Sequence, residues 1–171
     1  MKNKTHSMRP QDIVVLLKIL ILEDKAWTQV SLANALFMSQ SEISESLSRS
    51  KYARLLYNKS KQVSRQALMD LLQYGLPYMF PQQLGAVVRG IPTAHSTLPL
   101  SEHIQSSEAY VWPYAKGYVR GQAIQPLYPS VIQAVELDSE LYENLALIDA
   151  IRVGKVREKN LAIEILKQRI C

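Results

Sequence analysis

Residues 28–56 read TQVSLANALFMSQSEISESLSRSKYARLL, two helical segments divided by a short turn, and the rest of the chain is best read outward from them. In the first segment, Gln29 to Leu36, the apolar residues Val30, Leu32, Ala33, Ala35 and Leu36 recur at helical spacing, with alanines small enough to let another backbone come close. Thr28 suits its N-cap. Phe37-Met38 makes the turn, and Ser39-Gln40-Ser41-Glu42 then has the pattern of a capping box. In such a box the Ser39 hydroxyl accepts from the Glu42 N–H and the Glu42 carboxylate accepts from the Ser39 N–H. Met38 and Ile43 stand at the two positions of a hydrophobic staple, which sets the angle at which the chain joins the second helix. Ile43 and Leu47 are predicted to point inward, and Gln40, Ser41, Ser44, Glu45 and Ser48 outward. A face of short polar side chains fits a DNA major groove and can donate to, or accept from, base edges.

The charge that follows has one sign. From Arg49 to Arg65 the chain carries Arg49, Lys51, Arg54, Lys59, Lys61 and Arg65 and no Asp or Glu. Cations directly after a polar helix are where phosphate contacts belong. Asn58-Lys59-Ser60-Lys61, between Leu55-Leu56-Tyr57 and Gln62-Val63, reads as the turn of a short two-stranded ribbon, a wing. The expected DNA-binding set is therefore Thr28, Ser39, Gln40, Ser41, Ser44, Glu45, Ser48, Arg49, Lys51, Arg54, Lys59, Lys61 and Arg65. Within it, Gln40 has the geometry for a bidentate contact to adenine, while Glu45 would read cytosine or repel phosphate.

About residues 10 to 65 resemble the DNA-binding core of the MarR-like winged helix-turn-helix transcriptional regulators. The remainder departs from that family, whose dimer is built from long terminal helices. Gly75 to Leu100 (GLPYMFPQQLGAVVRGIPTAHSTLPL) and Ala146 to Leu161 (ALIDAIRVGKVREKNL) are similar instead to little-characterised bacterial winged-helix proteins, sometimes found beside nucleotidyltransferase-type toxins. The resemblances imply a regulator, a toxin-type protein partner, or both.

Composition agrees with a folded chain of about one domain: 171 residues, 47% hydrophobic and 20% charged. The net charge of +5 is uneven. Residues 1–90 hold twelve Lys or Arg against six Asp or Glu, +6, and residues 91–171 hold eight against nine, −1. The basic half contains the motif, as an electrostatic footprint on nucleic acid requires. One cysteine, Cys171, provides neither a disulfide framework nor a thiolate metal cluster, and a reducing, cytoplasmic setting is expected. The apolar run after the basic start contains Lys18 and lies behind Pro10 and Asp12, so it reads neither as a signal peptide nor as a membrane span.

Four segments follow in order. Residues 1–9 are expected to be a flexible basic arm, and 10–75 a winged helix-turn-helix domain. Within the latter, a helix from Pro10 to about Glu23 is apolar nearly all round, so it should be covered by the C-terminal region or by a second protomer. Trp27 is expected in the core. Ser64 is a cap for a further helix from Arg65 to Leu72, stopped by Gly75. Residues 76–136 form a Pro- and aromatic-rich extension, in which Leu76–Phe80, Gly85–Arg89 and Tyr118–Ile124 are candidate short strands and much of Ile91–Ser107 is loop. Its aromatics, Tyr78, Phe80, Tyr110, Trp112, Tyr114, Tyr118 and Tyr128, are expected to pack. Residues 137–171 are two helices serving dimerisation or partner binding, the first capped by Asp138 and ended by Gly154, with Asp149–Arg152 and Arg157–Glu158–Glu164 as surface or interhelical ion pairs. The fold class expected is mainly α (α+β).

No catalytic constellation stands out. His6, His95 and His103 lack metal-ligand spacing, and Ser96, His95 and Glu102 have no strand-turn-helix elbow around a serine. No cofactor motif is present. Arg89-Gly90 and Arg120-Gly121 recur after short apolar runs: either turn glycines beside solvated arginines, or a contact with a partner or a second DNA strand. The expectation is a non-enzymatic, homodimeric regulator of double-stranded DNA, in the manner of a repressor. The alternative is an antitoxin-like module that grips a partner protein and regulates its own operon.

Overall fold

The computed structural model describes residues 5–171, so the first four residues of the expected basic arm lie outside the described part. Helix α1 (Pro10–Leu22) opens on Pro10, where the missing N–H is no loss. Ile13, Val14, Val15, Leu16 and Leu17 are all at most 1% exposed, and each full burial is worth about 1.5–3 kcal/mol. The helix packs against α2 (Gln29–Leu36), α3 (Gln40–Tyr52) and α7 (Ser139–Val153). Of the two coverings considered for α1, the C-terminal region of the same chain supplies it. Lys18 reinforces that contact through an ion pair of 2.6 Å to Asp138, the N-cap of α7.

After α3 the chain turns through Arg54 in the left-handed region (φ 62°). The Leu55 N–H donates to the Ser50 carbonyl and the Arg54 N–H to that of Lys51, the bond pattern of a Schellman stop. The two-stranded ribbon expected around residues 58–61 does not form as strands. In its place is one antiparallel bridge, Leu56 to Val63, closed by Tyr57 N–H to the Gln62 carbonyl at 2.9 Å.

Helix α4 (Arg65–Asp70) runs without a break into a π-turn (Leu71–Gly75) and α5 (Leu76–Met79). Two expectations are corrected by this run. Gly75 does not stop the helix, and of the expected strand Leu76–Phe80 the residues Leu76–Met79 are helical. Pro77 cannot donate to the turn before it, and the run departs from regular α-helical bonding there through the π-turn, while burial of Leu72 and Leu76 carries the helix past Gly75. Ser64 precedes α4, but its side chain makes no capping bond.

Strands β1 (Val87–Pro92), β2 (Tyr110–Pro113) and β3 (Val119–Ala123) form a closed three-stranded unit. β1 is antiparallel to both others, and the start of β2 meets the end of β3 in parallel. Closure is tight enough to dictate two glycines. A Cβ at Gly90 would run into the Trp112 carbonyl, and one at Gly121 into the Ala109 carbonyl at 2.5 Å. The sequence pattern anticipates neither β2 nor α6 (Val131–Glu136). The link from β1 to β2 is short 3-10 turns and loop. Tyr110 and Trp112 pack inside as expected, whereas Tyr78 (82% exposed) and Tyr118 (75%) do not.

The unit is fastened to α7 from within. Asp149, 1% exposed, accepts from Trp112 Nε1 at 2.6 Å and Thr93 Oγ1 at 2.7 Å, while Arg152 donates to its second oxygen at 2.9 Å. Burial pushes the Asp149 carboxyl above the usual range, with Arg152 and the two other donors opposing. Arg152 also donates to the carbonyls of Phe80 and Gln125. Asp149–Arg152 is thus an interior pair, not a surface one. Helix α8 (Val156–Ile170) lies along α7 and α4. Its Glu158 is buried and caps the Lys155 N–H, so no Arg157–Glu158 or Arg157–Glu164 pair forms. One hydrophobic core runs from Ile13 to Ile170. Among the described residues no helix is long and apolar enough to cross a membrane. The fold is mixed, predominantly helical with one small sheet.

Candidate nucleic-acid interface

The two caps that the sequence names around the turn both form, with different closures. The Thr28 hydroxyl accepts from the Ser31 N–H at 3.0 Å, and the Thr28 N–H donates to Ser31 Oγ at 2.8 Å. Thr28 is therefore occupied with its own helix. Ser39 Oγ accepts from the Glu42 N–H at 3.1 Å. The return half of that box is absent, because the Glu42 carboxylate is drawn off to Gln11 Nε2 (2.8 Å) and to Arg49 (3.2 Å). Met38 and Ile43, at the staple positions, are both buried. Phe37 takes the left-handed turn conformation (φ 53°) that aims α3 away from α2.

Helix α3 presents one polar face. Gln40, Ser41, Ser44, Glu45 and Ser48 are all exposed, within an arc of about 140° at about 100° per residue. Ile43, Ser46, Leu47 and Ser50 occupy the buried side. His6 stacks on Tyr52 at the end of the helix, with ring centroids 4.2 Å apart, which lays the described part of the arm beside this face.

The cations divide into those that stay available and those that do not. Arg49 is the clearest correction: it is 4% exposed and turned inward. Its Nε donates to Asp12 at 2.9 Å and its Nη2 to the other Asp12 oxygen at 2.7 Å, with Glu42 at 3.2 Å and Glu45 at 3.7 Å. Hydrogen bonding to Asp12 raises the Arg49 pKa, and the Gln11 hydrogen bond, joined by Arg49, lowers that of Glu42. A guanidinium so neutralised holds no phosphate. It stands on the edge of α3 that the apolar α1 faces, and a charge buried there requires a counter-charge. Asp12 is that counter-charge, beyond complementing the dipole of its own helix.

Arg65 is also engaged, donating to the Ile170 carbonyl at the end of α8 at 2.9 Å. Lys61 sits over the half-buried Trp27 ring, 5.3 Å from its centroid. Lys51 is half-buried, and Arg54 and Lys59 are exposed without an ion pair among the described residues. Arg54 and Lys61 both hold positive φ (62° and 55°) although neither is glycine, a conformation costing about 1 kcal/mol or more.

The residues considered for hydrolytic chemistry are not brought together. His95 Nε2 bonds the Glu108 carbonyl at 2.8 Å, Ser96 Oγ accepts from the Tyr110 N–H at 2.9 Å, and Glu102 is exposed. One cluster escapes the sequence reading. Arg89 and Arg120 face each other across β1 and β3, a placement that needs the strand register and not the recurring Arg-Gly dipeptide alone. Compared with protein-family profiles, with curated proteins and with solved structures, the chain matches none.

Proposed function

We propose that this protein binds double-stranded DNA as a transcriptional regulator, through the outward face of α3 and the turn at residues 58–61. The observation that carries the reading is the capped, solvent-facing row Gln40, Ser41, Ser44 and Ser48 with no apolar side chain among them. Such a row reaches base edges when its helix lies in the major groove. Lys51, Arg54, Lys59 and Lys61 flank it where phosphates pass, and Arg49 is withdrawn from that role. The resemblance to MarR-like regulators supports the same reading. A homodimer acting on a pseudo-palindrome is part of the proposal. Its basis is not α1, which α7 covers, but the partly covered α8, where Val156 is 76% exposed and Leu161 and Ile165 are half-buried.

Salt-dependent anisotropy on upstream and random duplexes tests the reading. Binding should weaken steeply with salt, with a slope of about −0.9 per phosphate neutralised. Lys59→Ala with Lys61→Ala should weaken both duplexes alike, whereas Gln40→Ala should cost about 1–3 kcal/mol on the cognate site alone. Absence of binding to any duplex at low salt overturns the reading.

A further inference from the structure

The three-stranded unit carries a charge arrangement that its own stability disfavours. In the register of β1 and β3, Arg89 lies directly opposite Arg120. The Arg89 carbonyl accepts from the Tyr114 N–H on the opposite side, so the two arginines belong to the type of antiparallel pair whose backbone groups point apart. In such pairs the Cα atoms approach to about 4.5 Å and the side chains lie closest. Like charges directly opposite destabilise a sheet. Both arginines are exposed, and neither has an ion pair among the described residues.

Nothing nearby in sequence relieves them. No Asp or Glu occurs between Asp70 and Glu102 or between Glu108 and Glu136, the stretches that contain all three strands. Lys116, exposed in the turn between β2 and β3, adds a third cation, and Tyr118 stands exposed two residues before Arg120. The Arg-Gly dipeptides now have a physical explanation: each glycine faces the closed interior where no Cβ fits, and strand alternation then turns each arginine outward.

We propose that the outer face of β1 and β3, with Arg89 and Arg120 as its centre, is a second nucleic-acid contact that grips the phosphodiester backbone. Paired guanidiniums offer planar forks matched to phosphate oxygens, and a phosphate between them converts their repulsion into attraction. Tyr114, whose N–H binds the Arg89 carbonyl, shares an open cleft with Phe37, the turn residue just before α3. The inference rests on the DNA reading of α3.

The test is a salt titration of binding to a fluorescent random-sequence duplex by four proteins: the unaltered chain, Arg89→Ala/Arg120→Ala, Arg89→Glu, and Lys59→Ala/Lys61→Ala. The double arginine variant should flatten the log–log salt slope by about two, one for each phosphate no longer held. Arg89→Glu should raise the melting temperature, because opposite charges then face each other across the strands, while weakening binding. Weaker duplex affinity in a variant that keeps its fold separates a phosphate-binding role from a structural one. If the double arginine variant keeps the original slope while the lysine variant flattens it, the second contact is wrong and the α3 reading stands. If the unaltered chain binds no duplex at low salt, both fall. If it prefers polyglutamate to duplex and the double arginine variant loses that preference, the face belongs to an acidic protein partner and the inference is overturned.

Discussion

The region of α1 to α3 and the three-stranded unit are each fastened by a buried aspartate and arginine, and they differ in what that leaves outside. In the first region Asp12 of α1 captures Arg49, a cation from the very helix that presents the polar face. In the second, Asp149 takes Arg152 from its own helix together with Trp112 and Thr93, and leaves the arginines of the sheet alone. The region with the densest positive sequence therefore loses part of its charge to the interior. The region that is nearly neutral by count keeps two arginines opposed and unpaired. Charge available to a partner is what remains after buried acids have been matched, and residue counts do not measure it.

Breaking the two fastenings should give the largest effects. Asp149→Ala strands Arg152 and the Trp112 N–H and should cost about 3–5 kcal/mol in denaturant unfolding, whereas Asp12→Ala leaves Arg49 with the longer contacts to Glu42 and Glu45 and should cost less. The double replacement Asp12→Leu with Arg49→Met should recover most of the Asp12→Ala loss, since an apolar pair of similar volume replaces a buried ion pair at little cost. It should leave the salt slope of DNA binding unchanged, and a flattened slope would return Arg49 to the phosphate contacts.

A smaller effect of opposite sign is expected at Arg54. Its left-handed backbone suits glycine, so Arg54→Gly should stabilise the fold by about 1 kcal/mol while removing one unit of salt slope. A stabilised variant with full DNA affinity would show the charge at residue 54 to be idle.

The smallest effect concerns Glu42. Its folded pKa lies below its ordinary value of 4.5, chiefly because Gln11 and then Arg49 bond the carboxylate. A depressed carboxylate contributes stability that is fully present above the unfolded pKa and is lost as pH falls through the folded one. Thermal stability should therefore decline as pH drops below about 4.5, and Glu42→Gln should decline less steeply over that window. Equal slopes would remove Glu42 from the Arg49 network.

Local signals in the sequence determined the helices on either side of the turn and α7: Thr28, Ser39 and Asp138 each accept a backbone N–H of the helix they open, and Gly154 ends α7, whereas the Ser64 cap and the return half of the Ser39–Glu42 box do not form. They also placed Gln40, Ser41, Ser44, Glu45 and Ser48 on one face, because helical periodicity is a property of neighbouring residues. Tertiary structure alone decided where Arg49 went, since its partner lies 37 residues away on a helix whose burial creates the demand for a counter-charge. It alone covered α1 with α7, carried α5 through Gly75 and Pro77, and set Arg89 opposite Arg120. Strand register is a long-range choice, made by a core and a closed ladder that no local pattern specifies.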